Sequence, residues 1–301
     1  MAHPVVRAIG ALSGLGAATL GYASVIERNW YALRRYDVPV LPAGSAAIRI
    51  LHLSDLHITA DQRKKVDWVQ SLATLQPDLV VSTGDHLARV DATVNVLRAH
   101  EALFDFPGAF VWGNNDHYAP VPKSPVRYFV PDKTKKMRGS RIDLAPLAAG
   151  FERGGWVQLN NAVSTFEVAG RQVFFGGVDD PHTKKDRYQK IAGQVDSSAA
   201  LRIGVLHSPE PRLLNQFGNE GYELLLAGHT HGGQVRVPFY GAIVTNCDID
   251  RPRARGLSTW TAPSGHISQL HVSAGLGTSP YAPVRFCCRP EATLLTLRPR
   301  S

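Results

Sequence analysis

Five short apolar runs in this chain end in the same way. "IRILHLSD", "PDLVVSTGD", "GAFVWGNND", "LRIGVLHSPEP" and "YELLLAGHTH" each stop on a carboxylate, amide or imidazole, at Asp55, Asp85, Asn114, His207 and His229. Between the first three lie "VDWVQSLATL" and "ATVNVLRAHEALF", whose apolar residues recur with helical spacing. Strand and helix in alternation predict an α/β sheet, and in such sheets sites assemble in the loops beyond the carboxyl ends of the strands. Successive endings of this kind point to one crevice lined by groups that can hold a metal.

Two of the endings carry a second donor. Asp55 with His57 in "SDLH", and His229 with His231 in "GHTH", stand two residues apart. On an extended backbone such residues face the same way. A lone histidine beside a core strand is ordinarily structural, whereas carboxylate plus imidazole is a mixed oxygen and nitrogen set that suits Mn, Fe or Zn. Asp85 adds a carboxylate capable of bridging two ions. Asn114 by itself is also ordinary Gly-Asn turn chemistry, and a shift of one residue would make Asn115 the ligand instead.

The ordered series DxH, GD, GN, a lone H and GHxH, running from Asp55 to His231, resembles the calcineurin-like metallophosphoesterase family. The resemblance implies an α/β fold in which two mixed β-sheets pack as a sandwich flanked by helices. It also implies hydrolysis of phosphate monoesters, diesters or phosphoanhydrides at two divalent metal ions. Carried over position by position, it assigns Asp55, His57 and His231 to one ion and Asn114, His207 and His229 to the other, with Asp85 shared. Two cations roughly 3.5–4 Å apart can share a hydroxide and stabilise in-line displacement at phosphorus. One position departs from the pattern: the family ordinarily reads GNH, and "GNND" puts Asn115 in place of that histidine. Asn115 cannot act as a general acid, although it can donate a hydrogen bond to a phosphoryl oxygen. His86 and His117 are the nearby histidines that could supply a proton; both read equally well as supporting or surface residues.

A formal charge of +8 with a pI near 9.5 favours anionic partners. With no separate nucleic-acid module or stacking platform, no specific nucleic-acid partner is expected, and a nuclease stands as an alternative to a phosphate-ester hydrolase. A metal-binding scaffold with weakened catalysis is a second alternative. The three cysteines, Cys247, Cys287 and Cys288, lack the spaced pairs of a zinc knuckle or disulfide framework. From Ala8 to Ile26 the chain is uncharged over about the length that crosses a bilayer, with Gly10 and Gly14 in a GxxxG spacing and Trp30 and Tyr31 just beyond. Residues 1–36 therefore read as a membrane-anchor-like segment, 37–47 as a linker and 48–301 as the catalytic domain; a hydrophobic helix lying on the domain is the other reading. Arg28, Arg34 and Arg35 after the run, against Arg7 before it, favour a cytoplasmic catalytic domain, with an exported protein as the alternative. The basic segment from Pro120 to Arg141, with Lys133, Lys135 and Lys136, is a candidate contact for substrate or lipid headgroups. "GGVDDPHTKKD" ends another strand with Asp179, Asp180 and His182, and its Asp-Asp-Pro reads as turn and helix-start chemistry.

Overall fold

The computed structural model describes residues 4–122 and 139–300. One six-stranded sheet has the order β1 (Ala32–Leu41), β14 (Glu291–Pro299), β2 (Ile48–Leu53), β3 (Leu79–Ser82), β4 (Gly108–Phe110) and β5 (Trp156–Gln158). The other six-stranded sheet has the order β12 (Gly256–Thr261), β13 (Ile267–Val272), β9 (Leu224–Ala227), β8 (Leu201–Val205), β7 (Arg171–Gly177) and β6 (Ala162–Val168). Both are mixed. β2 through β5 run parallel, as do β13, β9, β8 and β7, while β14 against β2, β12 against β13 and β6 against β7 are antiparallel.

Side-chain alternation along the strands builds three apolar layers. Ile48, Ile50, Leu79 and Val81 on one sheet meet Ile203, Val205, Leu224 and Leu226 on the other, forming the centre of the sandwich. The intervening Leu51, Leu53 and Val80 face outward into a second core with helices α2 (Arg63–Ser71), α3 (Thr93–His100) and α5 (Ala145–Arg153). Helix α6 (Pro211–Asn219) covers the opposite outer face through Leu213, Leu214 and Phe217. Being buried on both faces is why β2, β3, β8 and β9 read as continuous apolar runs.

His100, at the end of α3, is fully buried against Phe151, with ring centroids 5.0 Å apart, and Trp156, at 5.4 Å. Burial, reinforced by nearby His86, pushes its pKa down from 6.5 to about 3. The folded chain thus keeps His100 neutral where the unfolded chain protonates it. Its contribution to stability is constant above about pH 6.5 and is lost at about 1.4 kcal/mol per pH unit below that, down to about pH 3. Thermal melts of His100→Phe should lose less stability than wild type between about pH 6.5 and 4.5. An equally steep fall in both chains would contradict this.

Two sequence expectations are corrected here. Residues 37–41, expected within a linker, belong to β1, an edge strand pairing in parallel along β14 from Ala32 to Leu41. The uncharged run forms α1 (Pro4–Gly21) followed by a wider π-helical turn (Tyr22–Ile26) and a 3-10 turn (Glu27–Asn29), and among the described residues no helix is long and apolar enough to cross a membrane. The charge asymmetry that favoured a cytoplasmic domain also weakens, since Arg34 and Arg35 are strand residues and Arg34 pairs with Glu291 at 3.1 Å. Positive-inside counting applies to loop charges. Lys133, Lys135 and Lys136 lie outside the described residues.

Candidate metal centre

The expected donors gather where the carboxyl ends of both sheets meet. Asp55 and His57 follow β2, Asp85 follows β3 and Asn114 opens α4 (Asn114–His117) beyond β4, three adjacent parallel strands of one sheet. His207 follows β8 and His229 and His231 follow β9, adjacent strands of the other. Loop backbones stitch these endings together: Asp55 N–H donates to Gly84 O and His57 N–H to Asp85 O, each at 2.9 Å. Across the sandwich, His229 N–H donates to Asp55 Oδ2 at 2.9 Å.

Strand alternation is not what makes the paired donors converge. Asp55, His57, Asp85, His229 and His231 all have left-handed backbones, with φ of 49°, 43°, 54°, 67° and 50°. Side chains rarely adopt this region, at a cost of order 1–3 kcal/mol each, and such residues cluster where surrounding structure and function demand them. The sharp turns aim every one of these side chains back into the crevice.

Donor atoms of Asp55, His57, Asp85 and His231 lie within 4.8 Å of one another, all buried. His57 Nε2 is 3.2 Å from His231 Nε2 and 3.4 Å from Asp85 Oδ2, and His231 Nε2 is 3.6 Å from Asp55 Oδ1. On the other side of Asp85, His207 Nε2 stands 3.5 Å from its Oδ1 and 3.2 Å from His229 Nδ1. Carbonyls fix two of the tautomers, because a carbonyl only accepts. His207 Nδ1 donates to Thr83 O at 2.7 Å and His231 Nδ1 to Gly277 O at 3.2 Å, so both turn Nε2 into the cluster. Despite its burial, Asp85 holds the His207 imidazole charged well above its ordinary pKa, and that Nε2 proton must leave when a cation binds. Burial pushes His57 and His231 down to about 4, leaving them neutral as ligation requires. Burial by itself would raise Asp85; His207 and His57 outweigh it and hold its carboxyl well below the usual range.

Two divalent ions fit this donor set. Asp55 Oδ1 and Asn114 Oδ1 are buried oxygens with no hydrogen-bond partner, and buried polar atoms are almost always paired. Imidazole nitrogens facing one another at 3.2 Å beside carboxylates are better satisfied by sharing a cation than by each other. The glycines are part of the construction. A Cβ at Gly228 would strike Ser54 Oγ and Asp55 Oδ2, and one at Gly113 would strike Asp85 Oδ1 and His207. Gly113 has an ordinary φ of −101°, but a Cβ there would also meet the Asp85 backbone nitrogen at 2.6 Å, so Gly113→Ala should shift the Asp85 loop as well as its carboxylate, at some cost in stability. Metal content and hydrolysis should both fall by roughly the 10–100-fold seen when a ligand's support is lost. Full metal occupancy in that variant, by elemental analysis, would contradict the placement.

A family model, calcineurin-like phosphoesterase, matches residues 48–233, a span that contains all seven of these positions. The chain belongs to that family. It is thus a metal-dependent phosphoesterase with a mixed α/β fold of two multi-stranded sheets. This phosphoesterase is 27% identical to the uncharacterized metallophosphoesterase YkuE of Bacillus subtilis over 97% of its own length and 93% of that chain. It is 24% identical to the phosphodiesterase YaeI of Escherichia coli, covering 92% of each chain. With the UDP-2,3-diacylglucosamine pyrophosphatase LpxG of Chlamydia trachomatis it shares 25% identity over 91% of each.

The three expected catalytic residues occupy different surroundings. Asn115 grips Asp85: its backbone N–H donates to Oδ1 and its side-chain amide to Oδ2, both at 2.7 Å. His86 is fully buried among Phe110, Trp112 and Phe151, with Nδ1 3.0 Å from Asp116 Oδ2 and Nε2 2.8 Å from Ser82 Oγ. His117 pairs with Asp179 Oδ1 at 2.6 Å. Asp180 caps a turn, accepting from Thr183 N–H at 2.7 Å and His182 N–H at 3.1 Å.

Two further residues border the centre. The exposed His182 places its ring 5.0 Å from that of His229. Arg285, fully buried, donates to Ala274 O and Gly277 O at 2.7 Å and braces the same Gly277 carbonyl that orients His231. His182 stands in a strand ending that reads as turn chemistry, and no spacing signal marks Arg285, since a charged residue far from the motifs reads as surface.

Proposed function

We propose that this phosphoesterase hydrolyses phosphate esters or phosphoanhydrides at a dinuclear centre. Asp55, His57 and His231 would hold one ion, Asn114, His207 and His229 the other, and Asp85 would be shared. The observation that carries this reading is the gathering of Asp55, His57, Asp85 and His231 donors within 4.8 Å, continued past Asp85 by His207 and His229, with Asp55 Oδ1 and Asn114 Oδ1 buried and unpartnered among the described residues. Bound there, the cations would lower the pKa of water and neutralise charge developing on the phosphoryl group. The donor types suit Mn, Fe or Zn.

The chain's own residues supply orientation. Asn115 holds both oxygens of Asp85, which keeps the two ligand sets in register, and Thr83 O and Gly277 O set the imidazole planes of His207 and His231. With Asn115 in that role and His86 enclosed in the aromatic core, His117 on Asp179 is the remaining histidine candidate, and unlike His86 it keeps some access to solvent. The pyrophosphatase activity in the name of LpxG, together with the apolar surface described below, favours a phosphoester or phosphoanhydride carrying an apolar group.

The test is turnover by the full chain, loaded in turn with Mn, Fe and Zn, of aryl monoesters, aryl diesters, nucleotides and lipid phosphoanhydrides. Metal-dependent hydrolysis of at least one class is expected, and none with any of the three metals would refute the reading.

A further inference from the structure

Large exposed apolar residues concentrate in two segments that the metal chemistry does not use. Leu12, Leu15, Leu20, Val25, Ile26 and Trp30 lie along α1 and the turns after it. Val237, Phe239 and Tyr240 form the tip of a hairpin between β10 (Arg236–Val237) and β11 (Gly241–Ala242). The two segments adjoin. Glu27, in the turns after α1, accepts from Cys288 N–H at 2.5 Å, and Phe286, two residues before Cys288, bridges to Val235 at the base of the hairpin. Between α1 and this strip runs an apolar groove of about 480 Å³, walled by Leu12, Leu15, Leu20, Val235, Val284 and Phe286.

We propose that α1 and the Phe239 hairpin form a single face that docks onto an anionic lipid bilayer, without spanning it. Three observations favour a bilayer over a protein partner. From Gly10 to Gly21 the helix is exposed all round apart from half-buried Thr19, and it carries no charge. A protein groove would cover one stripe of such a helix, whereas the headgroup–acyl boundary takes in a broader part of its circumference. Each apolar element ends in an aromatic ring under a guanidinium, Trp30 with Arg289 at 4.0 Å and Tyr240 with Arg251 at 4.8 Å. That arrangement suits the boundary between acyl chains and anionic headgroups. Arg236 is the only charged residue from Gly232 to Cys247, so no acidic group opposes docking there.

The hairpin tip is also poorly chosen for folding. Tyr240 N–H donates to Val237 O across a turn with Pro238 second and Phe239 third, and Phe239 has a φ of 65°. These are the features of a type II turn, whose third position ordinarily takes Gly or Asn. A fully exposed phenylalanine in a left-handed conformation disfavours the fold and contacts nothing that repays it. Partitioning of its ring into lipid gives the residue a purpose.

Hydrolysis of soluble aryl esters reports the metal centre and vesicle binding reports this face, so either reading can fail alone. The full chain should float with phosphatidylcholine vesicles containing phosphatidylglycerol, and less so at high salt or with phosphatidylcholine alone. Phe239→Gly combined with Tyr240→Ser suits the turn and should weaken vesicle binding about tenfold or more, with soluble-ester hydrolysis unchanged. In Phe239→Trp, the fluorescence added to that of the five native tryptophans should be quenched by brominated lipids. Unchanged flotation of the double variant together with an unquenched Phe239→Trp would overturn the proposal. So would binding that disappears only because a dimer, detected by light scattering, has dissociated, since a second copy would then be the occupant.

Discussion

Asp85→Ala is expected to abolish hydrolysis and to release most of the bound metal. Asp85 lies between His57 Nε2 at 3.4 Å and His207 Nε2 at 3.5 Å, one from each ligand set, and both its oxygens are held by Asn115. Removing it would take the proposed shared ligand from both ions at once. It also leaves two positively polarised sites facing each other without a buried anion between them. The loss should exceed the roughly 10–100-fold typical of losing a residue that merely supports a ligand. Asp85→Asn tests the charge separately: it keeps the shape, so retained metal with depressed turnover would show that geometry alone suffices for binding. Elemental analysis and aryl-ester kinetics on the same preparations give both readouts. Wild-type metal content in Asp85→Ala would remove this residue from the centre.

Leaving-group dependence should be steep. Where the family ordinarily has a histidine, Asn115 offers an amide that is already committed to Asp85 and cannot release a proton. General acid help is worth about 10²–10⁴-fold, and a substrate needs it in proportion to the basicity of the group that departs. Aryl oxides and phosphates leave with little protonation, whereas simple alkoxides need it. Hydrolysis of aryl over alkyl esters should therefore exceed the ratio set by intrinsic reactivity. Asn115→His should narrow that ratio, at the cost of some metal affinity through the lost grip on Asp85. Alkyl esters turned over as readily as aryl esters, with Asn115→His leaving the ratio unchanged, would mean that another group donates the proton. His117→Gln, which breaks the pair with Asp179, is the variant to examine in that case.

How far the sequence reveals this molecule depends on the kind of signal. Strands β2, β3, β8 and β9 are legible because burial on both faces makes them unbroken apolar runs, and their ends are legible because donor residue types stand there. β1 is not: Pro39 within "DVPV" reads as linker chemistry, yet an edge strand tolerates a proline that a central strand would not. The donor residues are legible, but the way they converge is not. Extended alternation explains the spacing of Asp55 with His57 and of His229 with His231, whereas the backbone brings them in through left-handed turns stabilised by tertiary hydrogen bonds. Roles set by long-range contacts, such as Asn115 on Asp85, His86 inside the aromatic core and Arg285 behind His231, leave no local trace at all. The uncharged amino-terminal run is legible as apolar, but its four glycines from Gly10 to Gly21 keep it short of a spanning helix.

Metal stoichiometry of the purified, active full chain tests the dinuclear centre most directly. Close to two transition-metal ions per chain is the expected result, with hydrolysis rising as the second ion is taken up. A chain that hydrolyses phosphoesters at full rate while holding no transition metal would contradict it.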